Sequence, residues 1–304
     1  MKIIEAEAMG MCFGVRDALQ AMRSVEQPTQ ITVMGELVHN PIVQRELALR
    51  GFPQMGEKDR GAGAVRTRRV MITAHGISNR ERTRLLERGL EVMDTTCPLV
   101  RKAHGAALGL ARSGYFVVVI GKRGHVEVRG LTGDLPEGGF DVVENVHGVR
   151  VFGADKIGVM AQTTTAEREA REIVQRIREL NVKAEVRFVN TICQPTRDRQ
   201  TALERLLEQV NVLVVVGGRH SNNTRQLVSR AREAGVRCVH VEGADELAPG
   251  MFSPHEVAGL TAGTSTLPET VAAVKEKLAR FYADPFRTRG VPQMEAAPHI
   301  RAAG

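Results

Sequence analysis

Tryptophan is absent from this 304-residue chain, and aromatic residues make up only 4% of it. A surface that stacks successive bases needs aromatic faces, so no nucleic-acid partner is expected. No apolar run approaches the ~20 residues of a membrane-spanning helix, which excludes a membrane protein of that kind. The opening stretch Met1-Lys2-Ile3-Ile4-Glu5-Ala6-Glu7 carries two acids where a signal peptide needs an apolar core. Cysteine is scarce and spread out: there are four, and none stands in a CxxC pair. That argues against a disulfide framework and for the reducing cytoplasm. The usual ferredoxin cysteine runs are missing. The dinucleotide fingerprint is missing too, since Gly61-Ala62-Gly63-Ala64 follows no strand and lacks the third glycine.

What is present is ordinary for a globular soluble protein: 42% hydrophobic and 25% charged residues, in a chain long enough for two or three small domains or one large one. The formal net charge of +7 suits an anionic small substrate or an acidic protein partner. Continuous apolar runs at Phe116 to Ile120, Ile157 to Ala161 and Val212 to Val216 read as buried parallel strands. Further strand-like stretches stand at Ile3 to Ala8, Ile31 to Met34, Val70 to Thr73, Ala184 to Val189 and Val257 to Thr261. Helical stretches alternate with them, which is the pattern of βα units. Ser78 is placed to cap a helix over 79–88.

Three cysteines recur at one structural place. Cys12, Cys97 and Cys193 each follow an apolar run and precede a helical stretch. This weak threefold repeat predicts three small parallel-sheet α/β domains facing a common centre. The expected units are 13–96, 97–192, and 193–282 with 1–12, followed by a mobile tail over 283–304. Three converging thiolates can hold a metal centre and leave one position open. Zinc with water or histidine fits that set, and so does an iron–sulfur cluster with one iron free of protein ligands. Cys238, in the alternating stretch Val236 to His240, is assigned to the core.

In open parallel sheets, ligands bind at the carboxyl ends of the strands. The polar residues directly after the apolar runs are His39, His75, His125, Glu127, Thr163, Thr164, Ser221, Asn223 and Ser265. Most are neutral hydrogen-bond donors, and the helix N-termini beside them favour anions. The set predicts a pocket for phosphate oxygens. Glu127 stands out as the one carboxyl, in a glycine-bounded loop. Ser221-Asn222-Asn223 also reads as the cap of a helix over 225–230. His104, His147, His220, His240, His255 and His299 have no comparable setting.

These motifs, taken together and in order, resemble the LytB family, the iron–sulfur 4-hydroxy-3-methylbut-2-enyl diphosphate reductases of the non-mevalonate isoprenoid pathway. The matching stretches are Cys12-Phe13-Gly14-Val15, Gly35-Glu36-Leu37-Val38-His39-Asn40-Pro41, Ala74-His75-Gly76, Asp94-Thr95-Thr96-Cys97-Pro98, Gly124-His125-Val126-Glu127, Gln162-Thr163-Thr164, Asn190-Thr191-Ile192-Cys193, Ser221-Asn222-Asn223 and Thr261 to Thr266. The resemblance implies a central [4Fe-4S] cluster on Cys12, Cys97 and Cys193 with one open iron, which oxygen can degrade to [3Fe-4S]. It implies a diphosphate clamp of His39, His75, His125, Thr164, Ser221, Asn222, Asn223 and Ser265. Thr163 would contact the substrate near its hydroxyl, and Glu127 would supply the proton. Val126 stands where the family commonly has proline, a change expected to alter the stiffness of that loop. Electrons would come from ferredoxin or flavodoxin. The alternative is a zinc-dependent hydrolase of a phosphorylated metabolite.

Overall fold

The computed structural model describes residues 1–283 apart from Lys58. The tail expected over 283–304 lies, beyond Ala283, outside the described residues. In chain order the elements are β1 (Lys2–Glu5), α1 (Phe13–Arg23), β2 (Ile31–Val33), α2 (Pro41–Leu49), β3 (Arg69–Ile72), α3 (Asn79–Glu87), β4 (Glu91–Asp94), α4 (Pro98–Arg112), β5 (Phe116–Ile120), α5 (Val126–Thr132) and β6 (Phe140–Val143). There follow β7 (Lys156–Ala161), α6 (Glu167–Leu180), β8 (Glu185–Val189), α7 (Gln194–Leu207), β9 (Val212–Val216), α8 (Asn222–Glu233), β10 (Arg237–Val241), β11 (Val257–Ala262) and α9 (Pro268–Ala283).

The strands form three sheets, in the orders β1-β11-β9-β10, β2-β3-β4 and β6-β5-β7-β8. Every strand pair is parallel. The first sheet joins the N-terminal strand to the last third of the chain: Lys2 is in register with Val257 and Glu5 with Leu260.

The continuous apolar runs are central strands covered on both faces, as parallel sheets require. On β9, Leu213 and Val215 pack against Leu203, Leu206 and Leu227 from α7 and α8. Val214 and Val216, on the opposite face, pack against Val274 and Leu278 of α9. On β5, Val118 and Ile120 meet Ile173 and Ile177 of α6. Its other face, Val117 and Val119, meets Ala103, Ala107, Val128 and Leu131 from α4 and α5. Among the described residues, no helix is long and apolar enough to cross a membrane.

Two local expectations need correction. Glu127 lies in the first turn of α5, not in a loop. The stretch contains Gly130 and two valines, which favour helix poorly. Burial of Val128 and Leu131 and the cap from His125 override that preference. Val126 is therefore the first helical residue and sets no loop stiffness. Helix α7 begins at Gln194, because Cys193 caps it and Pro195 fits its first turn. The edge strand β6 gave no recognisable signal, since Phe140-Asp141-Val142-Val143 is only four residues long. The cap of α3 is Ser78, as expected.

Candidate active site

Each sheet delivers its cysteine from the same position. Cys12, Cys97 and Cys193 follow β1, β4 and β8, which are edge strands of their sheets. Each cysteine N–H donates to the carbonyl that ends the adjacent strand's turn. Cys12 N bonds Thr264 O at 3.0 Å, Cys97 N bonds Ala74 O at 3.0 Å, and Cys193 N bonds Thr163 O at 2.9 Å. Each cysteine is also the N-cap of the helix that follows, and none uses its side chain as a cap. The thiols thereby stand at the positive ends of α1, α4 and α7. All three line one cavity. Gly14 is required there, because a Cβ on it would stand 2.5 Å from the Cys97 sulfur.

Burial raises the Cys97 thiol pKa above its ordinary value and pushes that of Cys193 up to about 11. These groups keep their protons until a metal replaces them. Cys193 Sγ also lies 3.0 Å from Thr196 Oγ1. Among the described residues, no three His, Cys, Asp or Glu side chains are close enough to hold a single ion. Three half-buried thiols without cap bonds, at three helix N-termini around one cavity, fit an anionic thiolate-bound cluster.

Opposite the thiols stand three histidines. The rings of His39 and His75 stack with centroids 4.2 Å apart. His125 meets them edge-on at 5.3 and 5.9 Å. His39 Nδ1 lies 2.8 Å from Glu36 Oε2, and the buried Nε2 has no partner. His75 donates to the backbone of Glu36, and its buried Nδ1 has no partner. In the neutral rings these free nitrogens are acceptors; a proton taken up there turns each into a donor. His125 is different. Its Nδ1 accepts from Glu127 N at 3.1 Å, so the neutral ring carries its hydrogen on Nε2. Burial, joined by the charges of neighbouring His39 and Lys122, pushes His125 down to about 3. Burial also holds His75 well below its ordinary value.

Glu127 is only 2% exposed. Burial raises its pKa to about 7, against two hydrogen bonds that lower it. Those bonds come from Thr163, whose N–H reaches Oε1 at 2.7 Å and whose hydroxyl reaches Oε2 at 3.0 Å. A carboxyl with this pKa is half protonated at neutral pH and suits an acid–base role.

The remaining expected residues line the same cavity. Thr164 Oγ1 accepts from Asn222 at 3.0 Å and from Gln162 at 3.2 Å, which leaves its own O–H available. Ser221 caps α8 by accepting from Thr224 N, so its hydroxyl hydrogen is also available. Asn223 Oδ1 accepts from Thr264 N at 3.0 Å, while its buried Nδ2 has no partner. Ser265 donates to His39 O at 3.0 Å, so contact with a ligand requires that bond to be exchanged. The cavity, counted to its open mouth, measures about 670 Å³. Cys238 lies outside it on β10, packed beside the apolar cluster of α7 and α8.

Three contributors were missed from sequence. Glu36 orients two histidines, and a carboxyl three residues before a histidine in a glycine turn was a usable signal. His220 lies close enough to Glu36 to lower its pKa, after the larger effect of the His39 hydrogen bond. Arg60 is a buried cation close enough to His75 and His125 to disfavour their protonation. It comes from a glycine-rich loop with no periodic signal.

Known proteins share this architecture. The family model described as "LytB protein" matches residues 3–279. The 4-hydroxy-3-methylbut-2-enyl diphosphate reductase of Aquifex aeolicus is 36% identical over 282 residues, covering 91% of this chain and 95% of its own length. The reductase of the same name from Solidesulfovibrio magneticus is 35% identical over 298 residues, covering 92% of this chain and all of its own. The solved structure of the E-1-hydroxy-2-methyl-but-2-enyl-4-diphosphate reductase from Plasmodium falciparum superposes with a TM-score of 0.82 at 26% identity, covering 93% of this chain and 88% of that one. With a family match running almost the length of the described residues, and relatives over a third identical across nine-tenths of the chain, this protein belongs to the LytB family.

Proposed function

We propose that this protein reduces 4-hydroxy-3-methylbut-2-enyl diphosphate to isopentenyl diphosphate and dimethylallyl diphosphate. One observation carries the reading. Buried polar atoms without partners, His39 Nε2, His75 Nδ1 and Asn223 Nδ2, belong to residues lining the cavity that also holds three uncapped thiols and Glu127. Unpartnered buried polar groups are costly, and an anion rich in oxygens satisfies them.

In balanced form, the C–O bond at the 4-hydroxyl breaks and two electrons enter. One proton leaves with the hydroxyl as water, and a second adds to the allylic fragment. A [4Fe-4S] cluster on Cys12, Cys97 and Cys193, when bound, supplies electrons singly and an iron free of protein ligands to polarise the C–O bond. The side chains do the rest. His39 presents Nε2 to the diphosphate, His75 takes up a proton and donates to it, His125 donates from Nε2, and Thr164, Ser221, Asn222, Asn223 and Ser265 complete the clamp. Glu127 holds the proton. When it is protonated, its bond with Thr163 reverses, and the threonine hydroxyl relays the proton to the leaving oxygen. The electrons come from a small soluble donor of the ferredoxin or flavodoxin type in the cytoplasm. With units of 13–96, 97–192, and 193–282 with 1–12, each of the three cysteines stands at a boundary between units.

The zinc hydrolase alternative finds no support among the relatives described above. The test is an anaerobic preparation analysed for iron, sulfide and zinc, then assayed with the diphosphate substrate and a chemical reductant. Four irons with sulfide, and formation of both isoprenyl diphosphates, are expected. One zinc per chain with phosphate release would replace the reading.

A further inference from the structure

Arg199 lies on α7, six residues after Cys193, and is 7% exposed. Its guanidinium makes three hydrogen bonds, all to backbone carbonyls. Nε and Nη2 donate to Gly10 O at 3.1 and 2.6 Å, and Nη1 donates to Pro195 O at 2.7 Å. Gly10 precedes Cys12 by two residues, and Pro195 follows Cys193 by two. One side chain thus ties together two cysteine turns that lie far apart in the chain.

Among the described residues, no carboxylate lies within 4.0 Å of this cation. Burial lowers the Arg199 pKa, against smaller attractions from the neighbouring Cys12, Cys193 and Asp198. The contrast is Arg60, also buried, which has Glu57 at 3.5 Å. Carbonyl dipoles solvate a guanidinium but do not neutralise it, and an unpaired buried charge is strongly unfavourable. The fold therefore expects an anion at the cysteines.

We propose that Arg199 is the built-in counter-cation of the cluster, a positioning residue that favours its reduced state while registering the Cys12 turn against the Cys193 turn. This rests on the reading that Cys12, Cys97 and Cys193 hold a four-iron cluster. A cluster bound by three thiolates is anionic and gains a further negative charge with each electron. A fixed positive charge in a poorly screened site stabilises the reduced form more than the oxidised one.

The experiment is an anaerobic redox titration followed by electron paramagnetic resonance, with iron analysis, on the intact wild type, Arg199→Met and Arg199→Lys. Arg199→Met should lower the midpoint potential by at least a tenfold change in the oxidised-to-reduced ratio, which is 59 mV for one electron. Arg199→Lys keeps the charge and loses the fork, so its potential should stay within threefold of wild type in that ratio while its melting temperature falls. Unshifted potential in an iron-loaded Arg199→Met protein overturns the inference, as do equal shifts in both variants. If Arg199→Met retains no iron, Arg199→Lys decides: wild-type potential supports the charge role, and equal loss of iron overturns it. Absence of iron–sulfur from the wild type itself would instead sink the reading of the site.

Discussion

The sheet that ends in Cys97 and the sheet that ends in Cys193 present one backbone plan with two chemistries. In both, the edge strand delivers a cysteine that caps a helix, and the adjacent strand's turn accepts that cysteine's N–H. The strand beyond that turns into a capped helix, at Asn40 in one sheet and His125 in the other. From these equivalent places the first sheet presents His75 and His39, stacked and short of hydrogen-bond partners. The second presents Thr163 and, in the first turn of α5, Glu127, with both carboxyl oxygens satisfied. The scaffold decides where a side chain stands; its hydrogen-bonding state decides what it does. In the function proposed above, the unmet partners of His39 and His75 are the ones a ligand satisfies, and Glu127, with its raised pKa, is the group that holds a proton.

The largest test breaks the part the two sheets share. Cys97→Ser and Cys193→Ser should each abolish iron binding and activity, while Cys238→Ser should retain both; iron analysis and visible absorbance report this. Retention of full colour by Cys97→Ser would contradict the assignment.

The next test separates the two chemistries. Glu127→Gln should lower kcat by about 10²- to 10⁴-fold with little change in substrate affinity. Because the folded pKa of Glu127 is raised to about 7, the wild-type rate should fall as pH rises through about 7. The same shift means that Glu127 contributes stability below its ordinary carboxyl pKa and loses it as pH rises through about 7. Melting temperatures at pH 6 and pH 8 should accordingly differ less in Glu127→Gln than in wild type. An unchanged pH–rate limb in the variant would remove Glu127 from the proton path.

His75→Asn should do the reverse, weakening binding by about 1.5–3 kcal/mol with a smaller effect on kcat. Burial keeps ligand-free His75 neutral at pH 7, and an adjacent anion favours its protonated form. Calorimetry with inorganic diphosphate in two buffers of different ionisation enthalpy should therefore show proton uptake that His75→Asn diminishes. Equal uptake in both proteins would mean that His75 does not titrate with the ligand.

The smallest effect is a control within the first sheet. Ser78 accepts from Glu81 N at 3.1 Å at the start of α3, so Ser78→Ala should lose about 1 kcal/mol of stability and leave activity intact. Thermal denaturation and a routine assay decide it.

The thiol half of the site was more legible than the rest. An apolar run, a cysteine and a helical stretch lie within a few residues of one another, so the motif reads locally three times over. The histidines were legible as positions after strands but not as a packed trio, since their approach depends on how separate turns pack. Glu127 was recognised as a chemical group and misplaced as loop, because its helix is stabilised by Val128 and Leu131 against propensity. Arg60 and Arg199 were not legible at all: a guanidinium in a loop and another on a helix face carry no pattern that distinguishes them from surface charge.

By itself the sequence determined the strand and helix alternation, the parallel sheets and the identity of the three thiols. Those follow from side-chain periodicity and turn chemistry, which act over a handful of residues. Only the tertiary structure decided which groups meet. Asn40 reaches the carbonyl of Ser265 across 225 residues, and Arg199 reaches that of Gly10 across 189. Burial, which raises Glu127 and depresses His75 and His125, arises only when the three sheets close on one cavity. Desolvation is a property of everything packed around a group, so no local stretch of residues encodes it.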